Sequence, residues 1–162
     1  MKISELIIPE LEQEVALTQK FLNRIPDDKM NWRPHEKSMT IQELGNHLAE
    51  IPGWVAGTME TEGMSMDDYK PSQNNTSRSM VDELNANAAA AKKALQKDDR
   101  VYTDQTWKME MGGKTLFEMP KLKVLRSVVL GLLPHHRAQL GVYFRLLDIP
   151  VPGTYGPSAD EQ

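Results

Sequence analysis

The stretch from Lys121 to Leu147 constrains this chain more than any other. Leu125, Val129, Leu132, His136, Leu140, Tyr143 and Leu147 recur there at steps of three or four, the period of one face of an α-helix. A helix over that stretch spans about 40 Å at 1.5 Å per residue, so it needs partners of similar length to cover its apolar side. Three further patterns supply them. Leu11, Val15, Leu17, Phe21, Leu22 and Ile25 mark a helix from about Ile8 to Ile25, with Pro9 in the first turn, where a missing N–H does no harm. Ile41, Leu44, Leu48, Ile51 and Val55 mark a second, opened by the Thr40-x-x-Glu43 capping box and bent at Pro52-Gly53. The third, from about Ser79 to Gln96, is rich in alanine, with Met80, Leu84 and Leu95 as its larger apolar residues. Thr61 to Thr76, dense in Gly, Pro, Asn and Asp, reads as loop. TWKMEMGGKTLFEMP reads as a β-hairpin turning at Gly112-Gly113, which must lie on something to be stable. Pro150, Pro152 and Pro157 keep residues 149–162 as an extended tail. The expectation is a single all-α domain over 1–162, a four-helix bundle with a small hairpin before the last long helix.

Charge and composition remove several functions. Asp plus Glu total 23 against 19 Lys plus Arg, a formal charge of -4, which is the wrong sign for gripping a phosphate backbone. There are no cysteines, so disulfides, thiolate metal sites and a cysteine nucleophile are excluded together. The first residues, MKISELIIPELEQE, turn acidic before any signal-length apolar run, and no stretch of about 18 apolar residues follows. The chain reads as cytoplasmic, with neither nucleic acid nor membrane as a partner. It contains no Gly-rich phosphate loop, no Gly-x-Ser-x-Gly elbow and no HExxH motif.

The chemistry rests on histidines. Of His35, His47, His135 and His136, His136 lies on the apolar face of the last helix and His47 beside that of the second. Packed helices sit roughly 8–10 Å apart, so two inward imidazoles from facing helices can share one ion, a role imidazole fills for zinc, nickel, copper and iron. The plainer alternative is a pair of core histidines with satisfied rings. Without metal, His47 and His136 could serve as a general base and its orienting partner, because imidazole titrates near neutral pH. Glu50, three residues after His47, either completes a metal shell or is a solvated charge. His35 is expected to fix the loop before the second helix. Arg137 is expected to pair with a carboxylate or cap carbonyls, and Lys121 and Lys123 to face solvent.

Four segments carry a resemblance to a known family: WRPHEKSMT at Trp32 to Thr40, the His47 helix with IPGW at Ile51 to Trp54, the Trp107 to Pro120 hairpin, and HHRAQLGVYFRLLDIPVPGTYGPSADE from His135. Over nearly its whole length the chain resembles the DinB-like family, named for a damage-inducible bacterial protein. The resemblance implies a four-helix bundle, often a homodimer, holding a divalent metal (Zn, Ni, Mn or Fe) on three histidines. Several relatives use that metal to activate a small thiol. His47 matches the second-helix ligand and His136, before Arg137, matches one of the last-helix pair. The other member of that pair should stand four residues earlier, and Leu132 is there. His135, about 100° round the helix from His136, is a weak substitute. The resemblance also implies a substrate pocket at Trp32, Trp54, Leu132 and Tyr143, with His47 and His136 as catalytic residues.

Gly131, Leu132 and Pro134 depart from the pattern within four residues, and interior Pro and Gly cost on the order of 3 and 1 kcal/mol in a helix. Pro134 is expected to kink it. Three functions stay open. One is a bundle with a weakened divalent-metal site, acting on a small thiol or as a hydrolase-like enzyme. Another is a metal-free small-molecule binder, or an engineered or repurposed catalyst, using a pocket between His47 and His136. The last is a structural, oligomeric bundle without activity.

Overall fold

A computed structural model describes residues 1–161. In chain order it comprises α1 (Ile3–Leu22), α2 (Ile41–Glu50), α3 (Gly53–Glu60), β1 (Gly63–Ser65), α4 (Ser77–Ala94), α5 (Asp99–Thr103), β2 (Thr106–Met111), β3 (Lys114–Pro120), α6 (Lys121–Val124) and α7 (Gly131–Leu146). A π-helical stretch, Leu125–Leu130, joins α6 to α7. The protein is mostly helical, with a small three-stranded sheet. α1 packs against α4 and α7, and α2 packs against the same two helices. Their apolar stripes meet in one core in which Leu11, Leu22, Leu44, Leu84, Leu140 and Phe144 are almost fully buried. Burying each such side chain contributes roughly 1.5–3 kcal/mol. No helix among the described residues is long and apolar enough to cross a membrane.

The helices begin where their caps dictate. The Thr40 hydroxyl accepts the Glu43 N–H at 3.1 Å while the Glu43 carboxylate accepts the Thr40 N–H at 2.7 Å, so both halves of the capping box form. Thr76 caps α4 through the Ser79 N–H at 3.1 Å. The expected second helix divides at Pro52 into α2 and α3.

Three elements differ from the sequence reading. Thr61–Thr76 is not all loop: β1 pairs in parallel with β2, Gly63 opposite Lys108, so the expected hairpin is part of a three-stranded sheet. Gly63 permits this, because a Cβ there would lie 2.7 Å from the Lys108 carbonyl oxygen. The hairpin itself turns at Gly112 (φ 57°) and Gly113 (φ 71°), the two positive φ values a type I′ turn demands.

The long last helix carries a π-helical stretch, Leu125–Leu130, just before Pro134. Pro134 has no N–H and its ring crowds the carbonyl four residues back, which belongs to Leu130, the last residue of the π stretch. The backbone stays helical through Leu130 and Gly131, with the Gly131 N–H bonded to the Val128 carbonyl, and Pro134 falls in the first turn of α7. Lys121, expected in solvent, is 3% exposed, and its ammonium donates to the Met59 carbonyl at 3.1 Å. It thereby satisfies an otherwise orphaned acceptor at the end of α3.

Residues 149–161 run extended along α1 and α7. Arg24 binds the Pro150 carbonyl at 2.8 Å and pairs with Glu161, and Arg145 pairs with Asp160 at 2.6 Å.

Candidate functional site

α2 turns its apolar stripe into the core and carries His47 at the stripe's edge. The His47 Nδ1 lies 2.7 Å from Glu50 Oε1. Glu50 is not the solvated charge that its sequence position implied. It is 8% exposed, it accepts the Tyr69 hydroxyl, and its Oε2 accepts the Ser72 N–H at 3.2 Å. Burial alone would raise its pKa, but the bonds from His47, Tyr69 and Ser72 outweigh burial and hold it below the usual glutamate value. Glu50 is thus ionised at neutral pH and accepts hydrogen bonds only. The His47 Nδ1 must then carry the proton, which leaves a lone pair on Nε2.

Tyr69 and Ser72 come from the segment between β1 and α4, which folds back over α2. Asn46 holds it there, accepting the Asn74 N–H at 2.9 Å and donating to the Asn74 carbonyl at 3.1 Å. Glu83 of α4 completes the clasp, accepting the Ser72 hydroxyl at 2.5 Å and the Asn74 side-chain amide.

α7 brings His136 to the same place. The His47 and His136 ring centroids are 4.6 Å apart and their planes are 78° from parallel. The His136 Nδ1 lies 2.8 Å from Gln139 Oε1, so its Nε2 is also left free. Burial lowers the His136 pKa, and His47 and His135 lower it further, against a smaller opposing effect from Gln139. The ring is neutral at pH 7.

The other expected residues divide into two groups. Trp54 joins the site, its ring 5.7 Å from His47 and 6.1 Å from Tyr69. The His135 ring stacks edge-on to His136 at 4.8 Å, but its side chain is exposed and reaches Gln139 at 3.4 Å. Trp32 and Tyr143 pack on each other at 5.5 Å, with the Tyr143 hydroxyl donating to the Met39 carbonyl at 3.1 Å. Leu132 packs, half-buried, against the core. His35 is exposed and accepts the Lys37 N–H at 3.1 Å, which fixes its loop. Sequence reasoning did not find Tyr69, Ser72 or Gln139. Only Gln139 had a signal, its i+3 spacing from His136.

Whether these residues fit the divalent ion that the resemblance implies depends on the donor set. Two imidazoles, each with Nδ1 tied to an oxygen and Nε2 bare, match the way metal-bound histidines are oriented. The third position is occupied by Leu132, which has no donor, and the Glu50 oxygens already serve three partners. Among the described residues, no three His, Cys, Asp or Glu side chains converge to hold an ion. The set fits a two-imidazole seat whose remaining positions come from outside the chain, and it does not fit a three-histidine centre.

Two cavities meet at Glu50 and Tyr69, and His47 lines the first of them. A polar groove of about 650 Å³ is lined by His47, Glu50, Tyr69 and the segment from Asn31 to Glu43. A second cleft of about 390 Å³, open to solvent at Gly57 and Lys70, lies on the other side of Glu50 beside Trp54.

Comparison with known proteins agrees with this architecture. A DinB-like protein of Bacillus cereus ATCC 10987 superposes with a TM-score of 0.69 at 21% identity, covering 93% of this chain and 97% of that one. The DinB-like protein YjoA of Bacillus subtilis superposes with a TM-score of 0.68 at 16% identity, covering 97% and 99%. These identities speak to fold alone. No curated protein matches the sequence. The DinB family model, however, matches residues 3–162, nearly the whole chain. On that match, carried by a fold that sets His47 of α2 against His136 of α7, the chain belongs to the DinB family.

Proposed function

We propose that the protein binds a small thiol at the His47–His136 pair, with a divalent ion on the two Nε2 atoms whose shell is completed by the thiol and water. One observation carries this reading: both rings are held by their Nδ1 atoms, 4.6 Å apart, with both Nε2 lone pairs free. When bound, the ion would act as a Lewis acid that favours the thiolate. The chain's own residues orient and exclude. Glu50 fixes the His47 tautomer, Gln139 fixes that of His136, and Trp54 packs edge-on to the His47 ring. Burial keeps His136 unprotonated and available as a donor. With Leu132 in place of a third ligand, metal affinity depends on the bound molecule in a way that a three-histidine site would not.

A second reading is favoured by the Glu50–His47 bond. A buried carboxylate on Nδ1 fixes the ring's tautomer and leaves Nε2 to accept a proton, which is the arrangement of a metal-free general base. Titration with Zn and Ni, by calorimetry and by metal content in mass spectrometry, separates the two. The expected result is weak binding alone, tightening at least tenfold with a simple thiol such as 2-mercaptoethanol, and tight binding without thiol in Leu132→His. If the thiol leaves metal affinity unchanged and ligands bind equally well in EDTA, the metal reading fails and the general-base reading replaces it.

A further inference from the structure

We infer that the site is built for a two-part molecule, with a polar head in the groove and an aromatic or branched apolar group in the open cleft on the other side of Glu50 and Tyr69. The inference rests on the proposed function only for placing the head beside the histidines. Glu50 and Tyr69 line both spaces, so the hydrogen bond between them is the partition. A molecule that engages the histidines from the groove has the second space directly behind that partition.

The lining of the cavity defines what it accepts. Trp54, Trp107, Met64, Met109, Val128 and Val129 supply its apolar wall, and Glu50, Lys70, Glu83 and Asn87 a polar edge. The Trp107 indole N–H is already used on the Thr61 hydroxyl at 3.1 Å, so the ring offers carbon to the interior. An apolar cavity of about 150 Å³ accepts benzene, and 390 Å³ has room for a bicyclic ring. The π stretch serves this wall. Its i→i+5 bonding brings residues four and five apart to one side, which is how Val124, Val128 and Val129 all face the cavity. In a regular α-helix, Val124 and Val129 would point about 140° apart. The groove has a different character. Arg33 and Lys37 border it together with Glu36 and Glu43, and that mixture of signs suits a zwitterionic head such as an amino acid.

Gly57 gives a direct test. It lines the cavity, and a Cβ placed there meets no atom within 4 Å, so Gly57→Leu fills the space without a clash. Calorimetry with S-methylcysteine, S-benzylcysteine and S-(2-naphthylmethyl)cysteine should show affinity rising in that order, on the order of a hundredfold from first to last. Gly57→Leu should remove the rise and leave S-methylcysteine binding unchanged. 2-Naphthol, which has no head, should quench tryptophan fluorescence in the wild type and in His47→Gln but not in Gly57→Leu. Val128→Phe fills the cavity from the opposite wall, repeats the test, and guards against a folding defect in the glycine variant. Affinity that does not rise with the larger substituent, or a rise that survives both filled variants, overturns the inference whatever the metal does. If S-methylcysteine and metal both fail to bind while 2-naphthol still titrates the cavity, the apolar chamber stands and the reading of the histidine pair falls.

Discussion

Arg137 is the residue whose removal has the most to teach about this fold. It is 1% exposed and its guanidinium joins three parts of the chain. Nη1 donates to the Glu14 carbonyl at 3.3 Å and the Thr18 hydroxyl at 3.2 Å, both on α1, and Nη2 donates to the Tyr155 hydroxyl of the tail at 2.8 Å. Nη2 also lies 2.8 Å from Glu14 Oε2, at an angle that closes no hydrogen bond, so charge attraction alone acts there. Tyr155 returns its own proton to Glu14 Oε1 at 2.6 Å. The side chains of Arg137 and Glu14 are 2% and 9% exposed, so water screens little of this.

Removing one member of a buried pair strands the other charge, at a cost of about 3–5 kcal/mol. Arg137→Met should therefore destabilise the protein by about 3–5 kcal/mol, and Glu14→Leu by a similar amount. The double variant strands no charge and should lie within about 2 kcal/mol of wild type, as apolar replacements of buried pairs do. The singles together predict a loss of roughly 6–10 kcal/mol, so the double-mutant cycle should return a coupling of at least about 4 kcal/mol. Urea unfolding followed by circular dichroism reads all four proteins, provided the slope with denaturant stays constant. A single substitution costing under about 1 kcal/mol, or a double as unstable as the sum of the singles, would refute the reasoning. The first would mean solvent reaches the pair, the second that Arg137 matters for packing alone.

Three other substitutions test separate parts of the structure. Glu50 has a folded pKa below its unfolded value near 4.5, so its stabilisation is complete above that value and is lost as pH falls through the folded pKa; Glu50→Gln should flatten the acid limb of stability below pH 4.5 in denaturant titrations. Lys121→Met leaves the Met59 carbonyl buried without a donor, and thermal unfolding should report a loss of about 1–3 kcal/mol. Gly57→Ala puts a better helix former into α3 where nothing obstructs it, so stability should rise by about 0.5–1 kcal/mol.

The residues legible in the sequence were those whose position follows from a local rule. His47 and His136 came from helical periodicity, and their 4.6 Å approach follows from which faces of α2 and α7 are apolar. The Thr40–Glu43 cap and the Gly112-Gly113 turn are rules of four residues or fewer. Glu50, Tyr69 and Ser72 obey no such rule. Glu50 looks like any helix carboxylate until the segment after β1 folds back, and that segment is held by Asn46 and Glu83, residues whose partners lie 28 and 9 positions away at Asn74. The composition of Thr61–Thr76 reads as loop, yet the segment contains strand β1. Gly63 uses its lack of a side chain to approach β2 rather than to turn.

The odd cluster at Gly131, Leu132 and Pro134 can now be connected to the site by a chain of physical steps. Leu132 takes away a donor where the resemblance implies a third ligand, so whatever ion the pair binds must find its other ligands in the bound molecule. Pro134 cannot accept a regular turn above it, and the helix meets that demand with the widened stretch Leu125–Leu130. The widening brings Val128 and Val129 together with Val124 on the cavity wall. On the proposed reading, one short run of sequence would reduce what the protein gives to a metal and shape the apolar surface it offers to a ligand. Restoring the two features separately would resolve their roles. Leu132→His should raise metal affinity with little change in the cavity, whereas Pro134→Ala relaxes the helix towards regular α geometry. The second change should weaken 2-naphthol binding while metal affinity stays as it was, and equal 2-naphthol affinity in Pro134→Ala and wild type would show that the π stretch has another cause.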